Sequence, residues 1–296
     1  MSGPDTDWLD LARRCGFESH RLVGWIYWDP TAIANYAALG VPDGTGYYIA
    51  TRAAPLAAGG DAAVIAAFGS IHPDFIRFAL DLCRTHTTFE AAAGARDAGV
   101  VAGLRAFVPE ITEGLAELGE ALWAVADALS PAGRVLFATH RAWPRPDDPL
   151  LSAWLAVNCI REWRGDTHWA IQIAEGLSMT AAGVLDGAWR NYDDDWLPRS
   201  RGADDAALDA AIAELTERGL ATDGAVNAAG IAYRQSLEDR LDTLAAEPWR
   251  RLGPDLSQRF IQLLEPATES LLARVDVTAG PKWMPAGRRH TTGDAT

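Results

Sequence analysis

Asp204-Asp205-Ala206-Ala207-Leu208-Asp209, continued through Glu217-Arg218-Gly219-Leu220 to Thr222-Asp223-Gly224 and Asn227, is the stretch that decides the fold. Leu208, Ile212 and Leu215 recur at spacings of four and three, the period of a helix with one buried face. The helix ends at Glu217-Arg218-Gly219-Leu220. Asp223-Gly224 is a pair suited to a two-residue turn, whose central positions both take positive φ, so a short β-hairpin follows. Asn227 then caps a helix expected over residues 228–246. Helix, hairpin, helix is the order of a winged helix, but the charge is wrong for reading DNA. Between Gly202 and Gly219, Asp204, Asp205, Asp209, Glu214 and Glu217 stand against Arg218 alone, where a DNA-reading helix would face phosphates.

The remaining chain reads as almost all helix, rich in alanine and punctuated by Gly and Pro. Ile111, Leu115, Leu118, Leu122, Val125 and Leu129 form a core-facing stripe ended by Ser130-Pro131. A similar stripe, Leu256, Phe260, Leu263, Leu264 and Leu271, follows the Gly253-Pro254 break. Trp143-Pro144-Arg145-Pro146-Asp147-Asp148-Pro149 cannot continue a helix and marks a boundary. The expected fold is mostly α, with two helical subdomains: residues 1–145, and residues 146–278 as a degenerate winged helix with a short β-hairpin wing. The polar segment 279–296 is expected to be a disordered tail. "Degenerate" reflects the connection from the helix 179–189 to Asp204, longer than the three or four residues that fix the helix-turn-helix angle.

With 296 residues, 49% of them hydrophobic, the chain can bury a large core. Its formal charge of -14 repels nucleic acid and anionic membrane surfaces at long range. No apolar run follows the acidic residues 1–7, and none approaches the ~18 residues of a membrane span, so a cytoplasmic protein is expected. Cys15, Cys83 and Cys159 are odd in number and far apart, which suits reduced, buried thiols. No histidine pair has metal-ligand spacing, so no metal ligand is assigned, and no cofactor can be named. Only a fold could bring His20 and His168 together.

The best candidate site surrounds His168. Residues 151–164 read as a helix ending in Arg161-Glu162-Trp163-Arg164, which Gly165 breaks and Asp166-Thr167 restarts. His168 would then lie in a first helical turn, where the dipole keeps its ring neutral. Arg161 and Arg164 would bind an anionic group, although both equally suit the last turn of a helix without any ligand. Asp166 would orient His168, although it too could serve only as a cap. Tyr48 and Arg52, in Gly46-Tyr47-Tyr48-Ile49-Ala50-Thr51-Arg52, could clamp an anionic or planar ligand by charge and stacking. His20 and Trp28 join the ligand-binding set. The twelve tryptophans either line a pocket or fill the core.

Tyr48 with Arg52-Ala53-Ala54-Pro55-Leu56, Pro144-Arg145-Pro146-Asp147-Asp148-Pro149 and Arg161-Glu162-Trp163-Arg164-Gly165-Asp166-Thr167-His168 together resemble the SalK-like family of actinobacterial helix-turn-helix proteins. Residues 215–230 with Leu237-Glu238-Asp239-Arg240 resemble the end of a MarR-like winged helix. The likeness spans about residues 8–275. Two positions depart from it: Leu155 after Trp154, and Trp163, stand where the family carries histidines. The resemblance implies a winged-helix-like fold and an occurrence in secondary-metabolite gene clusters.

Three functions remain open at this point. The leading one is a small-molecule-binding protein, an enzyme of secondary metabolism in its sharpest form, with His168 as base or ligand and DNA not a partner. The second is a MarR-like, ligand-responsive regulator, and the third a structural partner that forms a homodimer through its apolar helices.

Overall fold

The computed structural model describes residues 7–192 and 195–288. Helices dominate: α1 (Trp8–Gly24), α2 (Pro30–Ala37), α3 (Tyr47–Ala53), α4 (Asp61–Ala67), α5 (Pro73–His86), α6 (Phe89–Phe107), α7 (Thr112–Ala128) and α8 (Val135–Ala142) precede the long α9 (Pro149–Ala174). After it come α10 (Met179–Trp189), α11 (Trp196–Arg199), α12 (Asp205–Glu217), a two-stranded antiparallel hairpin of β1 (Ala221–Thr222) and β2 (Ala225–Val226), α13 (Ala228–Leu252) and α14 (Pro254–Thr278).

The local signals are realised where expected. Asp204 and Asn227 accept from the Ala207 and Gly230 amides as caps of α12 and α13, and each such cap contributes about 1 kcal/mol. Ala221 pairs with Val226 and Thr222 with Ala225 around Asp223 (φ 53) and Gly224 (φ 80), both left-handed as the turn requires. The stripe on α7 is buried throughout, Leu115 and Leu122 completely, and Phe260, Leu264 and Leu271 of α14 are equally inaccessible. Burying each such side chain stabilises the fold by about 2 kcal/mol. Helix α13 runs six residues beyond its expected end, to Leu252, carrying Pro248 inside it.

The main core joins α1, α2, α6, α7, α9, α13 and α14. The expected boundary at residue 145 falls in the non-helical connector between α8 and α9, and helices on both sides of it share this core. A second, smaller core belongs to the winged-helix portion: Ile171 at the end of α9, Leu185 of α10, Leu208 and Leu215 of α12, Ala221 of the hairpin and Leu237 and Leu241 of α13. Helices α9 and α13 thus run through both cores and fix the winged helix to the rest.

Two expectations are corrected. Gly165 does not break a helix, because α9 continues through it with ordinary helical backbone. An interior glycine costs only about 1 kcal/mol, less than is gained by keeping Trp163, Thr167 and Ile171 buried on one helix. His168 therefore lies deep in α9, and neither Asp166 nor Thr167 caps it. The described part of the expected tail is ordered: Met284 is 3% exposed, Arg21 Nε donates to the Gly287 carbonyl at 2.8 Å and Arg190 Nη1 to that of Pro285 at 2.8 Å. Apolar Trp283 and Met284 have the main core to bury against, which the polarity of the whole segment concealed. Residues 289–296 of that expectation, and Asp193-Asp194, lie outside the described residues.

Candidate functional site

Along α9, Arg161, Arg164 and His168 follow at intervals of three and four, so an unbroken helix presents all three on one face. Helix α1 crosses that face close enough that a side chain carbon at Gly16 would stand 3.3 Å from Arg164 Nε. His20, one turn further along α1, comes to lie among Arg161, Arg164, Arg190 and Arg52. Burial and these four guanidiniums push its pKa well below the ordinary histidine value, so the ring is neutral.

Glu162, completely buried, anchors one side. Arg52 grips it with two bonds, Nε–Oε1 2.8 Å and Nη2–Oε2 2.7 Å, and Arg161 Nη1 adds a third at 2.8 Å. Burial alone would raise the Glu162 pKa, but Arg52 and Arg161 hold it well below the usual carboxylate range. Arg52 Nη1 also donates to the Tyr48 hydroxyl at 2.6 Å. His140 Nε2 meets the Arg52 carbonyl at 2.9 Å, and Asn158 Nδ2 meets His140 Nδ1 at 3.2 Å.

A ladder of alternating charge forms the other side. Arg190 and Arg234 share Asp186; Arg234 and Arg164 share Glu238; Arg164 and Arg13 share Asp242; Arg13 ends on Asp239. His168 stands beside Arg234, Glu238, Asp186 and Arg164, and burial chiefly lowers its pKa to about 4. Burial, rather than a helix dipole, is what favours the neutral ring. Neither His20 nor His168 makes a side-chain hydrogen bond to any described residue, and the buried Nε of Arg161 and hydroxyl of Tyr27 lack hydrogen-bond partners. Buried polar atoms without a partner are uncommon in folded proteins.

Aromatic rings wall this region. Trp28 lies parallel to Tyr48, 10° between planes at 6.4 Å, and packs on Trp283 at 4.3 Å; Trp196 meets Trp283 edge-on. Of the other tryptophans, Trp25 and Trp154 fill the core and are fully buried.

The structure thus gathers Tyr48, Arg52, Arg161, Arg164, His20, Trp28 and His168, but not Asp166. Two residues apart on one helix, Asp166 and His168 face different ways. The Asp166 carboxylate instead accepts from the Phe137 amide at 2.9 Å, capping α8 from across the fold, and burial pushes its pKa up to about 7. It does not orient His168. Sequence reasoning missed Glu162, Tyr27, Asp186, Arg190, Arg201, Arg234, Glu238 and Trp283. Asp186 with Arg190, and Arg234 with Glu238, each one turn apart, were the locally visible pairs among them.

Among the described residues, no group of three or more His, Cys, Asp or Glu could hold a metal. No helix of theirs is long and apolar enough to cross a membrane. All three cysteines are buried and free. The exposed face of α12, formed by Asp205, Ala206, Asp209, Ala210, Ala213, Thr216 and Glu217, carries three carboxylates and no base, and the hairpin turn adds Asp223. A model of a helix-turn-helix family matches residues 12–278 of the chain. No curated protein and no solved structure matches it.

Proposed function

This chain belongs to that helix-turn-helix family, and from there we propose that it is a small-molecule-binding protein whose winged helix serves as scaffold and does not read DNA. The observation that carries this reading is the buried cluster in which neutral His20 lies among four arginines while Arg161 Nε and the Tyr27 hydroxyl lack partners. Such a cluster fits an anionic group, and the Trp28, Tyr48 and Trp283 rings beside it fit a planar body. His168, neutral and without a hydrogen bond, is the residue we assign to accept a proton, should the bound molecule be a substrate. The SalK-like resemblance of residues 161–168 supports a role in actinobacterial secondary metabolism, and three free thiols suit the cytoplasm.

The alternative regulator needs phosphate contacts from α12 and the hairpin, and their exposed carboxylates disfavour it. The test is thermal melting with benzoate as the probe, a planar monoanion, on the parent protein and on Arg161→Lys. Lysine keeps the charge but not the planar fork. The parent Tm should rise with benzoate concentration, and the Lys variant should respond at least several-fold more weakly. Equal responses, or none in the parent, would remove the site reading.

A further inference from the structure

Resting on that anion-site reading, we propose that the cluster is built for a small organic dianion, with Arg201 meeting the second of its two charges. The charge ladder from Arg190 through Asp186, Arg234, Glu238, Arg164, Asp242 and Arg13 to Asp239 alternates throughout and is neutral as a whole. Two cations then remain unmatched. One belongs to the Arg52–Glu162–Arg161 group, where two guanidiniums share one carboxylate. The other is Arg201, whose guanidinium makes no hydrogen bond or ion pair with any described residue, although it is only partly exposed.

Both excess charges lie near Tyr48. Tyr48 accepts from Arg52, and Tyr48, Asp186, Arg190 and Tyr192 all stand close enough to Arg201 to interact with it electrostatically. Burial lowers the pKa of Arg201, with Asp186 opposing, as for a cation short of counter-charge. Leaving a cation partly desolvated and unpaired is unfavourable, and a bound anion would offset this. The protein as a whole carries -14, so long-range attraction does not recruit anions; local cations must do it. Arg201 also lines a groove of about 190 Å³ with Ser70, His72, Thr180, Gly202 and Asp204. Two negative charges are available either as one phosphate monoester or as two carboxylates on one ring, and both forms match this chemistry.

The experiment is isothermal titration at pH 8 and constant ionic strength with phenyl phosphate, phthalate and benzoate, using sodium chloride as control. A phosphate monoester is doubly charged there, since its second pKa is about 6. At least one dianion should bind tenfold or more tightly than benzoate, and whichever does identifies phosphate or dicarboxylate as the form taken. Arg201→Gln should abolish that advantage, and Arg201→Lys should retain part of it. If Arg201→Gln loses its folded circular-dichroism signal, the Lys variant and the ligand ratio in the parent still decide. Benzoate binding as well as both dianions would overturn the dianion proposal and leave the anion site standing. Binding by none of the three, or an effect that chloride alone reproduces, would remove both.

Discussion

Glu162 is held by three hydrogen bonds from Arg52 and Arg161 with no exposed surface, so its removal would leave two guanidiniums without a counter-charge. Glu162→Gln is expected to destabilise the protein by about 3–5 kcal/mol, read as a lower urea midpoint at pH 7. An unchanged midpoint would mean that water already satisfies the arginines. Protonation acts in the same direction as the mutation. Glu162, Asp186 and Glu238 have folded pKa values below their unfolded ones, so their contribution is present above the unfolded carboxylate range and is lost as pH falls through the folded values. His140 and His168, lowered from 6.5 to about 4, make the unfolded chain the stronger proton binder between those values, so stability also falls as pH drops from 6.5 to about 4. Asp166 opposes them. Raised from 3.8 to about 7, it binds its proton more tightly when folded, and its contribution is lost as pH rises across that window. The Tm of Asp166→Asn relative to the parent should therefore be higher at pH 8 than at pH 5, since the amide can still accept from Phe137 and never ionises. A pH-independent difference would contradict the buried, proton-holding carboxyl.

At the scale of elements, the continuity of α9 is what aligns Arg161, Arg164 and His168. Gly165→Ala tests it directly. A methyl there would lie 3.7 Å from Glu162 Oε2, an ordinary contact, on helical backbone. The variant should gain about 0.5–1 kcal/mol, measured by urea unfolding, because alanine restricts the unfolded chain and favours helix. A left-handed glycine ending one helix and starting another would instead make alanine destabilising. Gly165-Asp166-Thr167 carries both a stop and a start signal, which by themselves favour a break there. Those signals are local, whereas the burial of residues on either side of Gly165 is not.

Over the whole molecule, charge and chain closure carry the remaining expectations. Neither the exposed face of α12 nor the hairpin turn offers a base to phosphate, and the formal charge is -14. Gel shifts on random duplex DNA at low salt should show no complex up to the roughly micromolar range of nonspecific binding. Retarded DNA at lower protein concentration would reinstate the regulator. The segment 279–288 closes the fold by placing Trp283 on Trp28 and Met284 over Gly24, tied down by Arg21 and Arg190. Deleting residues 279–296 should lower stability by at least about 2 kcal/mol, since burial of Met284 alone is worth that much. A truncated protein with the parent's urea midpoint would show the packing to be dispensable.

The amino-acid sequence alone determined the elements: the stripes of α7, α12 and α14, the Asp204 and Asn227 caps and the Asp223-Gly224 turn. Each depends on residues within a turn or two of one another, so spacing and side-chain chemistry suffice to read them. Much of the candidate cluster's membership was also legible, since Tyr48, Arg52, Arg161, Arg164 and His168 stand out as charged or aromatic groups in apolar helices. Only the tertiary structure decided what they meet. Arg52 and Glu162 are 110 residues apart, Arg164 and Glu238 are 74 apart, and Arg201 and Trp283 joined the site without any local mark. Pairing across such distances follows from how whole helices pack, because a buried charge must find its partner wherever the core brings one within reach.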